Sequence, residues 1–265
     1  MIDQKAAQPA RMVAGLGLLT LYLREVRRFL KVPGQTLLAP TVTTMLFMAV
    51  FSLALGRAVE VMGGTPFLLF LAPGLAMMAM LQNAFANASS SLIIAKVQGN
   101  IIDTLMPPLS PLELLLGIGL GAVARGLAVG LLVVVVMQFF VAAPPVHLWA
   151  VLFYPVAAAM MMGLVGMLVG IWAEKFDQIA AITNFLVTPL AFLSGTFYSI
   201  ERLPETLHWL AAINPFFYAI DGFRYGFIDR ADGALLTGAI LLVGLDLVLG
   251  AVCYRVLATG WRLKS

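Results

Sequence analysis

Long apolar runs dominate the chain and are separated by short polar or proline-containing stretches. A membrane-spanning helix needs about 20 consecutive apolar residues, whereas a transmembrane β-strand alternates apolar and polar residues over about ten positions. The long runs therefore predict an all-α polytopic membrane protein with one transmembrane domain over residues 1–265. Its six predicted transmembrane helices are residues 37–55, 67–94, 112–141, 148–173, 179–197 and 234–257.

Basic residues are distributed unevenly around these spans. Six Lys and Arg residues precede the first span, and Arg255, Arg262 and Lys264 lie at or after the end of the last. The predicted outer loops contain arginines diluted by acidic residues. Because Lys and Arg are enriched on the cytoplasmic side of membrane proteins, we expect both termini to be cytoplasmic.

The segment 10–32 precedes the first span and is amphipathic. Leucine and valine recur at helical spacing beside the basic cluster of Arg24, Arg27, Arg28 and Lys31. This pattern is typical of an interfacial helix lying on the anionic cytoplasmic leaflet. The alternative is a topology determinant with no further role.

The predicted cytoplasmic loop at 95–110 is longer than an ordinary helix connection of about 2–8 residues. Ser110, Pro111 and Glu113 form a capping-box pattern that opens the third span. Four apolar residues of the loop lie outside the membrane. Either they pack on neighbouring span ends, or they form a docking helix for a soluble partner. They are Ile101, Ile102, Leu105 and Met106.

The outer segment 194–232 is too apolar for a solvated loop and too interrupted to span. Pro204 opens one short helix, and Asn214 with Pro215 is an N-cap and first-turn pair that opens a second. We expect a re-entrant helical hairpin over 198–230, because non-spanning backbone at this depth must be enclosed by protein or line a water-filled cavity. Aromatic residues of the segment 195–230 are expected to form an outer gate: Phe197, Tyr198, Phe216, Phe217 and Tyr218.

Polar side chains also occur inside the spans. Gln82, Asn83 and Asn87 interrupt the second span, and they either join helices by hydrogen bonds or line a substrate pathway with Arg125. Arg125 and Asp246 fall near mid-depth, where an unpaired charge is costly, so they are candidates for an ion pair. Glycine pairs four residues apart in the third and fourth spans permit close helix packing. They include Gly117, Gly121, Gly126 and Gly130, and Gly166 with Gly170.

Composition agrees with a membrane protein and excludes several functions. Apolar residues make up 62% and charged residues 11% of the chain, whereas soluble domains carry about 25% charged residues. A net charge of +3 gives no reason to expect nucleic acid as a partner. The chain has no phosphate-binding loop motif, no zinc-protease motif and no dense acidic cluster, so we expect no catalytic residue, no metal site and no cofactor bound by the chain itself.

Three stretches of sequence carry a family resemblance. Residues 72–101, 124–130 and 176–227 include APGLAMMAMLQNAFANASSSLIIAKVQGNI, ARGLAVG and INPFFYAIDGFRYGF. They resemble the second span, the third span, and the fifth span with its outer hairpin in the ABC-2 type transport permeases. The similarity is nearest to the small bacterial exporters of drugs, glycoconjugates and capsular polysaccharides.

The resemblance implies a permease that pairs as a homodimer with two separate ABC ATPase subunits, which bind ATP and Mg²⁺. It implies a coupling helix over 97–106, and a location in the bacterial inner membrane. Asp103 is the only charged residue between Lys96 and Glu113, so we expect the ATPase contact to be mainly apolar. The expected ATPase-coupling residues are Gln98, Asn100, Ile101, Ile102, Asp103, Leu105 and Met106.

The sequence as a whole predicts the membrane subunit of an ATP-driven exporter for an amphiphilic substrate, with membrane lipids as further partners. Two alternatives belong to other classes. An ion- or proton-coupled carrier or channel would need several acidic residues in its spans, and only Asp246 is central. A membrane scaffold would recruit a soluble partner without transport.

Overall fold

The computed structural model describes residues 16–55, 61, 62, 64–99, 109–199, 209 and 213–262. In this part of the chain the fold is all-α apart from a two-stranded antiparallel hairpin, Val61–Met62 with Thr65–Pro66. Five helical segments are long and apolar enough to cross a membrane. They are the first span, Gly34–Ala54, and four helices that we label α3 (Phe67–Val97), α4 (Pro111–Met137), α5 (Leu148–Trp172) and α9 (Leu235–Thr259).

The amino-terminal helix α1 (Leu16–Leu30) packs against α4 and is followed by the first span. That span opens with a π-helical turn, Gly34–Leu38, and continues as α2 (Ala39–Leu55). The part of the predicted interfacial segment before Leu16 lies outside the described residues. The buried side of α1 carries Leu21, Glu25 and Phe29, whereas its leucine stripe is exposed. The exposed leucines are Leu16, Leu19, Leu23 and Leu30.

The predicted fifth span differs from the structure in length. It consists of α6 (Phe176–Ile182), a π-helical turn (Thr183–Val187) and α7 (Thr188–Phe192), and it ends five residues before the expected Phe197. The chain leaves the helix at a turn in which Gly195 has a φ of +72°, a conformation open mainly to glycine. The apolar helix Phe176–Phe192 is about 26 Å long at 1.5 Å per residue, shorter than a typical span.

The third predicted span is also too long at its end. Helix α4 stops at Met137 rather than at 141, and Gln138 then ties the turn together through both atoms of its side-chain amide, which bond to the backbone of Ala143. Its start is confirmed. Ser110 accepts a hydrogen bond from the Glu113 backbone, and the Glu113 carboxylate accepts one from the Ser110 backbone.

The outer segment contains α8 (Pro215–Ile228), which the asparagine–proline pair predicted. The Asn214 side chain accepts a hydrogen bond from the Phe216 backbone at 3.0 Å and donates one to the Leu190 carbonyl at 2.8 Å. These bonds fix the start of α8 against the end of α7. Most of the first arm of the predicted hairpin, 203–213, lies outside the described residues.

Helix α3 is the centre of the packing and is buried along most of its length by α4, α5 and α8. Glycines bring the helices close, as their spacing predicts. A Cβ atom added at Gly166 would lie 2.5 Å from the Phe85 carbonyl oxygen, and one added at Gly121 would lie 2.5 Å from the Glu25 Cβ. By contrast, α2 and α9 expose most of their side chains.

Candidate functional site

A groove of about 290 Å³ lies between the first span and α3. We call it the α2–α3 groove. Its walls combine polar and apolar side chains, and two of the three predicted pathway residues of the second span line it. The lining residues are Gln35, Ala39, Pro40, Thr43, Thr44, Phe47, Leu75, Met78, Ala79, Gln82 and Asn83.

Arg125 of α4 lies behind the groove and is joined to it by Asn83. The Arg125 guanidinium donates a hydrogen bond to the Asn83 Oδ1 at 3.1 Å, and the Asn83 Nδ2 donates one to the Ala79 carbonyl at 2.9 Å. The buried Arg125 Nε has no hydrogen-bond partner among the described residues. The Asn83 side-chain amide therefore lies between the positive charge of Arg125 and the groove.

The expected pair of Arg125 and Asp246 does not form. Among the described residues, no salt bridge joins the two, and the buried Asp246 Oδ1 has no hydrogen-bond partner. Asp246 instead lines a separate, mainly apolar pocket with residues of α5, including Trp149 and Met160. The depth argument placed both charges correctly near mid-span, but depth alone does not determine which helix face a side chain occupies.

Asn87, the third predicted pathway residue of the second span, is fully buried away from the groove. Its Oδ1 and its carbonyl both accept hydrogen bonds from Arg28 of α1, at 3.0 and 2.7 Å. Arg28 also donates to Ser90 at 3.0 Å and to Glu25 at 3.0 Å. Asn87 therefore serves, in this arrangement, to join α1 to α3.

Glu25 is the central residue of this polar joint, and sequence reasoning missed it. Its side chain is fully buried, and its two carboxylate oxygens accept hydrogen bonds from Arg24, Arg28 and Ser91, the last at 2.7 Å. We call this the Glu25 network. Its signal in the sequence was a single acid among basic residues. A carboxylate is costly to bury unless it is paired, and neighbouring arginines can pair with it.

The predicted gate aromatics fall into two groups. Phe197 packs on Phe51 of the first span, with ring centroids 4.5 Å apart, and on Phe192 at 5.1 Å. The Tyr198 hydroxyl donates to the Leu193 carbonyl at 2.9 Å. Phe216 and Phe217 are buried in the packing of α8, and the half-buried Tyr218 meets Phe217 edge-on at 5.1 Å.

Arg224 holds α8 against α3. Sequence reasoning did not single it out. Although fully buried, it donates hydrogen bonds to the Phe70 carbonyl at 3.2 Å and to the Gly195 carbonyl at 2.6 Å, and its guanidinium lies 3.7 Å above the Phe70 ring. Burial lowers the pKa of Arg224 to about 10, so it stays positively charged at neutral pH. The signal for Arg224 in the sequence was its position within a run rich in phenylalanine and tyrosine.

Asp221, one turn before Arg224, binds the chain just after the end of α8. Its carboxylate accepts hydrogen bonds from the backbone N–H groups of Asp232 and Gly233 at 2.8 and 2.9 Å. Burial raises the pKa of Asp221, and the positive charge of Arg224 and the two N–H donors oppose that rise. These bonds connect α8 to the start of α9.

At the opposite end of the molecule, α3 leads into the predicted coupling loop. Gln98 is exposed directly after the helix. The other expected coupling residues lie outside the described part of the chain: Asn100, Ile101, Ile102, Asp103, Leu105 and Met106. Just before the loop, Lys96 donates hydrogen bonds to the Ile171 carbonyl and, at 3.2 Å, to the Ala173 carbonyl. It thereby caps the end of α5 and joins it to α3.

The described residues contain no group of three or more His, Cys, Asp and Glu side chains that could hold a metal ion. The polar features are instead a lined groove, the Glu25 network, the contacts of the buried Arg224 and close helix contacts. Such features are typical of a membrane protein that binds a solute or a partner rather than one that makes and breaks bonds.

Comparison with known proteins identifies this class. Residues 17–228 match the ABC-2 type transporter family, and the chain belongs to that family as a non-catalytic transmembrane permease subunit.

Its relatives agree. The chain is 37% identical over 251 residues to the inner membrane transport permease YadH of Escherichia coli K12, covering 94% of this chain and 98% of the relative. It is 27% identical over 187 residues to nodulation protein J of Sinorhizobium fredii NGR234, covering 68% and 70% of the two chains. The protein is thus a multi-pass permease of the inner membrane, in a family whose members pair with an ABC ATPase.

Proposed function

We propose that the chain is the permease half of an ATP-driven exporter that moves an amphiphilic substrate, namely a glycolipid, a polysaccharide on a lipid carrier or a hydrophobic drug. The observation that carries this proposal is the lining of the α2–α3 groove. Thr43, Gln82 and Asn83 supply hydrogen-bonding groups, whereas Phe47 and Met78 supply apolar surface. A substrate with both polar and apolar parts matches such walls.

The topology of the proposal has six membrane crossings with both termini in the cytoplasm. The short helix Phe176–Phe192 would be the fifth crossing. Helix α1 would lie on the cytoplasmic surface, since its leucine stripe is exposed while the polar Glu25 is buried. That arrangement is the reverse of a soluble helix and fits a surface that faces lipid.

Exposed apolar surface supports the homodimer of this proposal. Large apolar side chains project from α2 and from the fifth segment, such as Leu53 (77% exposed) and Phe185 (85% exposed). Lipid covers some of these, and a second copy of the chain related by a two-fold axis would cover the remainder. With one ATPase for each copy, the complex would contain two permeases and two ATPases.

A transport assay tests the groove. The full complex is reconstituted with its ATPase in liposomes, and transport of a fluorescent short-chain glycolipid and of a hydrophobic dye is measured with and without ATP. Thr43→Val removes a hydroxyl from the groove at almost constant volume. Thr41→Val is the matched control, because Thr41 bonds to the Leu37 carbonyl of its own helix and does not line the groove.

We expect Thr43→Val to lower ATP-dependent transport several-fold and Thr41→Val to preserve it. Equal rates for the two variants would contradict the groove as the pathway. Transport that continues without the ATPase would instead favour a secondary carrier or channel, and absence of transport of either probe, with the ATPase still bound, would favour a scaffold.

The coupling part of the proposal concerns the loop at 97–106. Asp substitutions at Ile102 and Leu105 would place charge in the apolar contact and should abolish co-purification of the ATPase while the permease still inserts. Thr104→Asp in the same loop is the control, since it adds the same charge at a residue that is not one of the expected coupling residues. Undiminished recovery of the ATPase with both Asp variants would contradict the docking role.

The gate part concerns the outer aromatic segment. A gate must move during turnover, so a cross-link there between two copies should stop transport while ATP still binds. Ile213, 69% exposed beside the start of α8, is the site for the cysteine, and Leu236, 74% exposed on α9, is the control. Normal transport by dimers cross-linked at 213 would show that this segment is only an interfacial anchor.

A further inference from the structure

A second large pocket lies between α1 and the end of α3, with a volume of about 560 Å³. It is separate from the α2–α3 groove. One wall is cationic and comes from α1, which contributes Arg24, Arg27, Arg28 and Lys31. The facing wall is the last part of α3 and includes Ile94 and Ala95. The pocket is therefore basic on one side and partly apolar on the other.

The charge of this pocket is not balanced by its own residues. Glu25 is the one acid among the lining residues, and its oxygens already accept hydrogen bonds from Arg24, Arg28 and Ser91. Four basic side chains against one acid leave a local charge of +3. Arg27 and Lys31 are exposed and have no salt bridge to an acid within the described ranges. The excess attracts a negatively charged partner.

The position of the pocket along the membrane normal selects the kind of partner. Helix α3 has 31 residues and is about 46 Å long at 1.5 Å per residue. A bilayer is about 40–45 Å thick with its headgroup layers, so the last turn of α3, where Ile94 and Ala95 lie, reaches the headgroup level. At this level phosphate groups are adjacent to acyl chains.

We propose that this pocket binds one anionic phospholipid, such as phosphatidylglycerol. Its phosphate is held by Arg27 and Lys31, with the Glu25 network fixing Arg24 and Arg28 beside them. Its acyl chains extend along the apolar wall at Ile94 and Ala95. A soluble phosphate compound would leave that wall uncovered, and an acidic protein segment would have to enter the headgroup layer. The lipid matches both walls at the right depth.

Native mass spectrometry of the purified full-length permease with its ATPase tests the proposal. Phosphatidylglycerol or phosphatidylcholine is added in detergent, and bound lipid is counted and titrated. The test variant is Arg27→Gln with Lys31→Gln, both exposed residues with no salt bridge among the described residues. The control is Lys175→Gln with Arg255→Gln, which removes the same charge from exposed positions outside the pocket.

We expect the permease to retain one phosphatidylglycerol in preference to phosphatidylcholine. The test variant should bind it about thirtyfold more weakly, because two basic contacts to the lipid headgroup are lost. The control should bind it as the original chain does. An equal loss in both variants would show diffuse attraction to the membrane and overturn the proposal. So would unchanged binding in the test variant, or displacement of the lipid by inorganic phosphate at millimolar concentration.

Discussion

Replacing Gly166 by alanine should separate two helices that contact through their backbones. The added Cβ would lie 2.5 Å from the Phe85 carbonyl oxygen, so α3 and α5 must move apart by about 1 Å to reach an ordinary contact of about 3.4 Å. Because the obstacle is backbone rather than a flexible side chain, the strain falls in the range of about 1–3 kcal/mol for overpacked cores. The gain in helix propensity returns about 0.5–1 kcal/mol, which leaves a net loss of up to about 2.5 kcal/mol in the free energy of unfolding.

Unfolding in mixed micelles, followed by tryptophan fluorescence as the denaturing detergent is increased, measures this loss. Gly250→Ala on α9 is the matched control, because a Cβ atom there meets nothing within 4 Å. The control should be unchanged or more stable by up to about 1 kcal/mol. If Gly166→Ala were as stable as Gly250→Ala, the close α3–α5 contact described above would be wrong.

Three further substitutions follow from the polar joints, all measured by the same unfolding assay. Glu25→Gln removes the charge that pairs with Arg28 and should lower stability by about 1–3 kcal/mol; an unchanged midpoint would show that the Glu25 network contributes nothing. Arg224→Leu removes the hydrogen bonds to the Phe70 and Gly195 carbonyls and should lower stability by about 1–3 kcal/mol, while a stable variant would contradict the tie between α8 and α3. Asp246→Asn should cause no loss of stability, because the carboxylate Oδ1 has no hydrogen-bond partner in the described structure; marked destabilisation would reveal a partner outside it.

The sequence predicted the span helices well because each is determined by a local quantity, the length of an apolar run. The starts of α4 and α8 could also be predicted from the local sequence. The Ser110 side chain accepts from the Glu113 N–H, and the Asn214 side chain accepts from the Phe216 N–H, just after Pro215. The end of the fifth segment was less predictable. In residues 193–197 only Ser194, Gly195 and Thr196 interrupt the apolar run. These three small residues are too few to mark its end, and the turn at Gly195 shows that the helix has stopped.

The polar contacts between helices could not be predicted with the same success. Arg125 was expected to meet Asp246 because both lie at mid-depth, but Asn83 is the residue that faces it. Glu25 and Arg224 were not singled out, although both are buried. Hydropathy gives the depth of a side chain, whereas its partner depends on the rotation of two helices relative to each other. That rotation is set by close contacts such as those at Gly121 and Gly166.

Helix α3 is held near both ends by basic side chains, so a movement of one end is transmitted to the other. Near one end, Lys96 donates hydrogen bonds to carbonyls at the end of α5. Near the other end, the Phe70 carbonyl accepts a hydrogen bond from Arg224 of α8. The 26 residues between these points measure about 39 Å at 1.5 Å per residue, so a tilt of about 5° at the first point displaces the second by about 3 Å. A hydrogen bond cannot stretch that far. Any such tilt must therefore either release Arg224 or carry α8 along with it, and a thrust applied beside Gln98 would reach the far face of the membrane as a displacement of α8.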